Sequence, residues 1–595
     1  METHPALAIR SSVGVELWNS GSKVDYAPNP NFPRDESKFC RAIAFSGDGR
    51  FLAWANGTNV QICSSKDWKV IFSLPKPKTF YLKFSPSGKY LVLWELFMTT
   101  KENAEGTPNL NVYSTGDGNC IFSTIQKKNT DWEPHWSCDE SILAFMVGGE
   151  AFFYETTEPN GFEKAAKKIG GARNGSISLS PYGTNPYVAF HVPGVKGSPS
   201  MCKIFKYPDI QAAQPIGCKS FFQADRVEMM WNKRSTGLIL LTSTEVDATG
   251  ASYYGKQALH FMSTRGDSFA VQLKKEGPIH AVEWNPNSTE FCVVYGFMPA
   301  KASFFNVKCD STFDCDEGAR NSIYYNPFGN LVILAGFGNL RGNVEVWDVA
   351  KKKIVTTLQA PDSTLLEWCQ NGEMFVTATT APRLRMSNGF KVWHYSGALL
   401  HETMWPNGQE LLEVIWQTYP SGTFTEKPIT NVKLEGIKST QPQASTQAYK
   451  PPNARGINIT PSRPSTATSD NRIPGVAKSG RKDRRNVRSA NFAKNRNGDE
   501  NDDASNNDDA AAQTNNAQSQ RFRPISRDNA KKPQKPAQPE DPEKAKRIKA
   551  VNKKLNDISK LKGRREKGEH LELNQIQKID SEASLIKELH DLKIA

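Results

Sequence analysis

Short apolar strands alternate with polar turns throughout the first 425 residues, and the alternation is regular enough to count. Each unit contains an alternating strand that ends in an aromatic or aliphatic anchor, followed by a turn rich in Ser, Pro, Asn, Asp or Gly. Pro fixes one turn dihedral and Gly accepts a positive φ, so these turns lead the chain back into a second apolar strand. The nine anchors are Phe45, Phe84, Trp136, Leu179, Trp231, Trp284, Tyr325, Trp368 and Trp416.

The spacing of the anchors predicts a β-propeller. Nine anchors between positions 45 and 416 give a mean period of about 46 residues, close to the ~40–45 of a four-stranded WD40 blade. We therefore expect an all-β fold, a nine-bladed WD40-like β-propeller over residues 1–425, in which Trp347-Asp348 is the one literal Trp-Asp pair. Two smaller propellers or a pair of sandwiches are the alternative, although no linker-like break interrupts residues 40–420.

The two ends of this region predict how the ring closes. The strand around Trp416 has little after it before the composition turns polar. At the other end, Ala6–Arg10 and Gly14–Trp18 form a strand pair that has no anchor of its own. Pairing the two ends would complete a blade and remove an exposed sheet edge. We expect the ninth blade to be built in this way.

Charge and aromatic content separate this region from the rest of the chain. Residues 426–595 carry 35 Lys and Arg against 22 Asp and Glu, an excess equal to the net charge of +13 of the whole chain. All 13 tryptophans lie between Trp18 and Trp416. Residues 426–540 are rich in Pro, Ser and Asn, with basic and acidic runs, and such a composition does not offset the entropy of ordering. We expect a disordered linker there.

Residues 541–595 predict a pair of C-terminal α-helices. Asp541 can cap the first helix, Pro542 suits its first position and Gly563 can end it. Both helices repeat apolar residues at spacings of three and four, so the helices either form a hairpin or each bind a partner. The apolar faces comprise Ile548, Val551, Leu555 and Ile558 on the first helix and Ile576, Ile579, Ile586 and Leu589 on the second.

The candidate nucleic-acid contacts lie in the basic tail. Lys and Arg on flexible chain release counterions when they bind phosphates, and they need no pocket to do so. A targeting signal and a merely solvated charge run are the alternative interpretations. The candidates are Arg481, Lys482, Arg484, Arg485 and Arg488 in the linker, with Lys546 and Arg547 on the first helix.

Motifs for catalysis and cofactor binding are missing from the sequence. It contains no G-x-x-x-x-G-K-[ST] phosphate loop, no H-E-x-x-H and no G-x-S-x-G. Ten cysteines are scattered from Cys40 to Cys369 without the spacing of a zinc site, which indicates reduced thiols in a cytosolic or nuclear protein. No apolar stretch approaches the ~18 residues of a membrane helix. We expect no enzyme activity, no cofactor, no metal and no membrane partner.

Several segments are similar in sequence to one known family. They are Ser11–Trp18, Cys40–Ser46, Phe328–Leu340, Gly342–Asp348, Ala448–Gly456 and Arg472–Gly475. These segments resemble the eukaryotic translation initiation factor 2A family. The resemblance covers nearly the whole propeller and both tail helices, and its most specific part runs from Tyr324 to Asp348. The acidic and Asn-rich segment of the linker does not share it.

The resemblance implies a nine-bladed cytoplasmic propeller that binds the small ribosomal subunit. It also implies delivery of initiator methionyl-tRNA in a codon-dependent, GTP-independent manner, for a subset of mRNAs. Other initiation factors are candidate partners of the C-terminal helices. The b subunit of initiation factor 3 is disfavoured, because it carries an RNA-recognition motif before its blades, whereas here the blade pattern begins almost at Met1. The alternative function is a scaffold whose propeller faces and helices bind proteins and never RNA.

Overall fold

The computed structural model describes most of the first 440 residues. The described ranges are 4–20, 26–99, 101, 103–127, 132–170, 174–195, 197–222, 224–244, 255–430 and 434–440, with Ile558 and Glu582. The chain divides into two compact units, Met1–Pro461 and Ser462–Ala595. In the second unit, Ile558 and Glu582 are both helical and Ile558 is buried. The rest of the two predicted helices lies outside the described residues.

The first unit contains 35 strands between Leu7 and Trp416. In chain order they are β1 (Leu7–Ser11), β2 (Gly14–Trp18), β3 (Ala42–Phe45), β4 (Phe51–Ala55), β5 (Val60–Ser64), β6 (Val70–Leu74), β7 (Thr79–Phe84), β8 (Tyr90–Glu95), β9 (Leu110–Ser114), β10 (Cys120–Thr124), β11 (His135–Trp136), β12 (Ile142–Val147), β13 (Glu150–Glu155), β14 (Lys167–Ile169), β15 (Ser176–Leu179), β16 (Tyr187–Val192), β17 (Ser200–Lys206), β18 (Gly217–Phe221), β19 (Arg226–Trp231), β20 (Gly237–Ser243), β21 (Gln257–Ser263), β22 (Ser268–Ala270), β23 (Ile279–Trp284), β24 (Glu290–Tyr295), β25 (Lys301–Asn306), β26 (Ser311–Asp314), β27 (Ser322–Tyr325), β28 (Leu331–Ala335), β29 (Asn343–Asp348), β30 (Lys353–Gln359), β31 (Leu365–Trp368), β32 (Met374–Thr379), β33 (Gly389–His394), β34 (Leu399–Met404) and β35 (Leu411–Trp416).

The strands form nine sheets, which confirms the predicted nine-bladed propeller. Blades 1 to 8 each contain four consecutive strands, from β3–β6 in blade 1 to β31–β34 in blade 8, and blade 9 contains β2, β1 and β35. Each of the nine anchors is the last residue of the first strand of its blade in blades 1 to 8, or of β35 in blade 9. The repeat counted in the sequence is therefore the structural repeat, one anchor for each blade.

Burial follows the position of a strand within its blade. The second strands are covered by neighbouring blades on both sides, so they read as continuous apolar runs, and β28 is buried along its whole length. Outer strands are partly exposed, as β10 and β30 show. Because the innermost strands line the central channel, they alternate between buried and partly exposed residues, as in β31.

Nine apolar clusters hold the blades together, one at each interface between neighbouring blades. The cluster between blades 7 and 8, for example, joins Ile333 and Val346 to Leu366 and Phe375. The chain is thus one continuous ring, which excludes two smaller propellers and a pair of sandwiches.

The ends of the chain close the ring as predicted. Strand β1 pairs antiparallel with both β2 and β35, and Leu7 lies opposite Trp416. The Arg10 guanidinium lies 2.9 Å from the Glu413 carboxylate across the same pairing. Blade 9 then meets blade 1, where Gly49 adopts a φ of +69°. A Cβ at Gly49 would lie 1.7 Å from the Thr418 carbonyl oxygen, so only glycine fits at this junction.

The turn after each anchor is of two kinds. In blades 1 to 4 the residue after the anchor is a buried serine whose Oγ accepts a backbone N–H of its own turn, such as Tyr90 N–H on Ser85. In blades 5 to 7 and in blade 9 it is Asn or Gln, and the longer side chain donates to a backbone carbonyl of the next blade. These bonds are Asn232 to Ser288 (3.3 Å), Asn285 to Gly329 (2.9 Å), Asn326 to Gly372 (3.2 Å) and Gln417 to Gly49 (3.3 Å).

The described chain continues beyond the predicted domain boundary at residue 425 and stays against the propeller. Ile429 packs on the cluster between blades 7 and 8. The Ile437 amide donates to the Leu399 carbonyl at the start of β34 (2.8 Å). The buried Glu402 carboxylate then accepts hydrogen bonds from the Thr440 amide (2.6 Å) and the Ser439 hydroxyl (2.7 Å). Residues 434–440 thereby line the outer strand of blade 8.

All ten cysteines are unpaired and six are buried. Burial raises the pKa of the Cys63 and Cys202 thiols to about 12. Across the described residues, no helix has the length and apolar character needed to cross a membrane.

Candidate nucleic-acid interface

The nucleic-acid contacts and partner faces predicted from the sequence fall largely outside the described residues. Of these residues Ile558 is described, and it is helical and buried. The others are Arg481, Lys482, Arg484, Arg485, Arg488, Lys546, Arg547, Ile548, Val551, Leu555, Ile576, Ile579, Ile586 and Leu589. The geometry on which a site can be built therefore comes from the propeller.

A cavity of about 650 Å³ opens in the central channel of the propeller. It lies where the chain enters the innermost strands of blades 3, 4 and 5, at the end of the propeller that we call the loop face. We call it the channel cavity. The residues that matter for its chemistry are Trp132, His135, Ser176, Ser178, His191 and Arg226.

Three aromatic rings lead up to the channel cavity. The ring of Tyr81 stacks on that of Trp132, with centroids 5.5 Å apart and an interplanar angle of 14°. The Tyr81 ring also contacts the buried Trp94, with ring centroids 5.5 Å apart and an interplanar angle of 38°. Because Tyr81 covers one side of the Trp132 indole and Trp132 also lines the channel cavity, the row of rings ends at the cavity wall.

The charged side chains around the channel cavity are matched in pairs. Lys83 forms an ion pair with Glu133, and Arg226 forms one with Glu228 at 3.0 Å. Asp225, which also lines the cavity, has an interaction partner of its own. The cavity thus carries little uncompensated charge, and the forces it offers a ligand are ring stacking and hydrogen bonding.

His191 supplies a buried polar group in the channel cavity. It lies on β16 with 4% of its surface exposed, and its ring stacks on Phe221 at 6.1 Å. Burial lowers the pKa of the imidazole to about 4, so the ring is neutral at physiological pH. Its Nε2 has no hydrogen-bond partner among the described residues.

The remaining channel wall has a different character. A second cavity of about 470 Å³ lies between blades 1 to 4, toward the turns that follow the anchors, and we call that end the turn face. It shares Glu133 and His135 with the channel cavity and is otherwise lined mainly by apolar residues such as Phe84, Trp136 and Leu179. On the far side of the channel, burial raises the pKa of the Glu367 carboxyl on β31 to about 7. A carboxyl that is only partly ionised near neutral pH does not attract the phosphates of a nucleic acid.

Sequence reasoning missed the channel cavity. Its one usable signal is Trp132, which stands four residues before the anchor Trp136 and fits no strand position of the repeat. His191, Ser176 and Ser178 read as ordinary strand residues, because only closure of the ring brings three blades together at this point. Within the described part of the chain, no group of three or more His, Cys, Asp or Glu residues is placed to hold a metal ion.

Known proteins resemble this chain along almost its whole length. A family profile described as eukaryotic translation initiation factor eIF2A matches residues 219–414, and a second, for the C-terminal domain of the same factor, matches residues 546–592. The chain is 50% identical to eukaryotic translation initiation factor 2A of Drosophila melanogaster, over 99% of this chain and 98% of that protein. It is 34% identical to the Caenorhabditis elegans protein of the same name, over 99% of both.

Two further similarities bear on the fold and the class. A solved structure described as the eukaryotic initiation factor superposes with a TM-score of 0.64 and 33% identity, covering 71% of this chain and 100% of that one. The b subunit of eukaryotic translation initiation factor 3 from Xenopus laevis is 24% identical over 66% of this chain and 56% of that protein. With the near full-length identity to the fly and nematode proteins, these findings show that the chain belongs to the eukaryotic translation initiation factor 2A family and is a translation initiation factor.

Proposed function

We propose that the protein binds the small ribosomal subunit in the cytoplasm and directs initiator methionyl-tRNA to it. On this proposal, delivery depends on the start codon, needs no GTP and serves a subset of mRNAs. The observation that carries the proposal is the near full-length identity to a protein named as an initiation factor, 50% over 99% of the chain. The absence of a phosphate-loop motif from the sequence is compatible with independence from GTP.

The proposal divides the work between the two units of the chain. The basic residues Arg481–Arg488 attract RNA phosphates without reading sequence, because every nucleotide carries the same phosphate group. The rigid propeller provides the surface that distinguishes one RNA shape from another. The apolar faces of the C-terminal helices bind other initiation factors, and no step requires catalysis by this chain.

Co-sedimentation with small ribosomal subunits at graded salt tests the proposal. The full chain should travel with the subunits, and initiator methionyl-tRNA should join the complex only when an AUG codon is present, with or without GTP. A protein-only scaffold would stay at the top of the gradient at every salt concentration, and that result would reject the proposal.

A tail variant separates the two kinds of contact. Changing Arg481, Lys482, Arg484, Arg485 and Arg488 to Ala removes up to five phosphate contacts, so the slope of log affinity for single-stranded RNA against log salt should fall by roughly 3 to 4 units. Binding to the ribosomal subunit should survive. Replacing the same number of acidic residues in the nearby run 499–503 and 508–509 by Asn or Gln is the matched control, and it should not lower the slope.

A further inference from the structure

The geometry of the channel cavity fits a flat, uncharged ligand. Trp132 presents an indole at the cavity wall, backed by Tyr81, so the ring is held in place before any ligand arrives. A fixed aromatic ring binds another planar ring by stacking, which contributes roughly 1–3 kcal/mol for each RNA base. Its volume of about 650 Å³ lies within the ~300–1,000 Å³ of small-molecule sites.

The polar groups of the cavity suit the edge of such a ring. The imidazole of His191 is neutral and its Nε2 is shielded from solvent, so the hydrogen-bonding groups within reach of a ligand are hydroxyls. Ser176 and Ser178 carry hydroxyls that donate or accept, and they line the same cavity. A nucleobase presents donors and acceptors along its edges and has a π-face, so it uses both features at once.

The pairing of charges decides between a base and a cationic side chain. An Arg or Lys side chain from a protein partner would need an unpaired carboxylate at the cavity, but Glu133 and Glu228 already bind Lys83 and Arg226, and Asp225 also has a partner. A phosphate would need an unpaired cation, but the nearby Lys83 and Arg226 already form these same ion pairs. A neutral base needs neither an unpaired carboxylate nor an unpaired cation, and the phosphates of its strand can remain outside the cavity.

We propose that the channel cavity binds an unpaired nucleobase of single-stranded RNA, stacked on Trp132 and hydrogen-bonded by the hydroxyls of Ser176 and Ser178. This inference rests on the proposed function, since it gives the propeller a specific contact to the RNA of the initiation complex. It places base recognition at the loop face of blades 3 to 5, separate from the phosphate contacts proposed for the tail. Duplex RNA does not fit, because its bases are stacked on one another and cannot enter.

Binding of a short fluorescein-labelled oligouridylate or oligoadenylate to the full chain tests the proposal by fluorescence anisotropy. Trp132→Ala should lower the affinity about tenfold, because it removes one stacked base, while the salt slope stays unchanged because no phosphate contact is lost. Trp132→Phe keeps a stacking face and should restore most of the affinity. Neither variant should alter the weaker binding of a duplex RNA of the same length.

Two controls guard against indirect effects. Tyr182→Ala removes an aromatic side chain that is 68% exposed in the first turn of blade 4, at the turn face, and should leave RNA binding unchanged. Ultraviolet cross-linking of oligouridylate to the unaltered chain needs no variant, so it remains informative if Trp132→Ala unfolds the propeller. The adducts should include peptides that contain Trp132, Ser176 or Ser178.

The outcomes separate this inference from the proposed function. Unchanged affinity in Trp132→Ala, or cross-links confined to the tail, would overturn the nucleobase site, whereas co-sedimentation with the small subunit judges the proposed function on its own. If an arginine-containing peptide competes for the cavity and single-stranded RNA does not, the cavity is a protein site and the inference is wrong. A tenfold loss that Trp132→Phe rescues, with normal melting temperatures, establishes it.

Discussion

The two halves of the ring hold their blades together in different ways. In blades 5 to 7 an Asn after the anchor binds the backbone of the next blade, as Asn285 does at Gly329. Trp anchors there add a second bond to the preceding blade, such as Trp284 Nε1–H to the Met230 carbonyl (2.9 Å). In blades 1 to 4 the residue after the anchor is a serine that bonds within its own turn, as Ser85 does with Tyr90.

The two halves also differ in their match to the family profile and in where the cavities lie. The family profile matched at residues 219–414 covers blades 5 to 8, the half with the repeated bridges. Both large cavities are lined mainly by residues of blades 1 to 4. Blades 1 to 4 are bridged by other side chains, such as Glu140, which accepts hydrogen bonds from the Ser87 amide and hydroxyl of the preceding blade. The comparison divides the ring into a half with a repeated Asn bridge and a half with the cavities, and the following experiments test that division.

Deleting residues 1–20 should have the largest effect, because it removes the strands that join the two halves. Leu7, Ile9, Val15 and Leu17 are almost completely buried, and burial of such side chains contributes about 1.5–3 kcal/mol each. Their sum is comparable to the whole stability of a typical domain, about 5–15 kcal/mol. We expect the cooperative thermal transition to disappear in circular dichroism. Truncation after residue 440 should preserve it, and equal melting of the two truncated chains would contradict the closure by β1.

The asparagines that bridge two blades should contribute more to the free energy of unfolding than the serines at the equivalent positions of blades 1 to 4. Asn285→Ala leaves the buried Gly329 carbonyl without its donor, at a cost of about 2–3 kcal/mol, whereas Ser85→Ala loses two hydrogen bonds with the Tyr90 backbone inside one turn and should cost about 1–2 kcal/mol. Urea unfolding of the full chain measures both. Equal losses would show that the two kinds of turn do not distinguish the halves.

The stability of the propeller should depend on the protonation of Glu367, which lies on the innermost strand of blade 8. Burial raises the pKa of Glu367 from its ordinary value near 4.5 to about 7. The folded state therefore keeps this proton when the unfolded state has lost it, and stability falls as the pH rises from about 4.5 through 7. Glu367→Gln should abolish that part of the pH dependence and add about 3 kcal/mol at pH 8. Glu105→Gln, on an exposed loop, is the control, and an identical pH profile for Glu367→Gln and the parent chain would refute the expectation.

The smallest effect concerns the segment at 434–440. Glu402→Gln should weaken its attachment to blade 8 by about 1 kcal/mol, since charge-assisted hydrogen bonds become neutral ones. Hydrogen–deuterium exchange at the Ile437 amide, which binds the Leu399 carbonyl, should accelerate several-fold. Glu373→Gln, which loses the exposed contact with Lys427, serves for comparison. Protection unchanged in Glu402→Gln would mean that other contacts hold the segment.

Much of the fold could be predicted because the repeat is local in sequence. Each anchor and its turn lie within a few residues, so nine copies such as Trp284-Asn285-Pro286 predict nine blades. Closure was predictable too, since the unanchored strand pair Ala6–Arg10 and Gly14–Trp18 needs a partner. The boundary at residue 425, in contrast, rested on composition, and composition does not show that Glu402 holds Thr440. The channel cavity depends on Trp132, Ser178 and Arg226, which are far apart in sequence and come together only in the closed ring.

The pairing of β1 with β35 has a consequence for synthesis of the protein. Leu7 emerges from the ribosome early, but its partner Trp416 follows about 400 residues later. At ~5–20 residues per second, that delay is roughly 20–80 s. Throughout this interval the nascent chain presents an unpaired strand edge and the apolar side chains of Leu7 and Ile9, which are the features that molecular chaperones bind. Successful biogenesis then depends on protecting the amino terminus until translation of the propeller is finished.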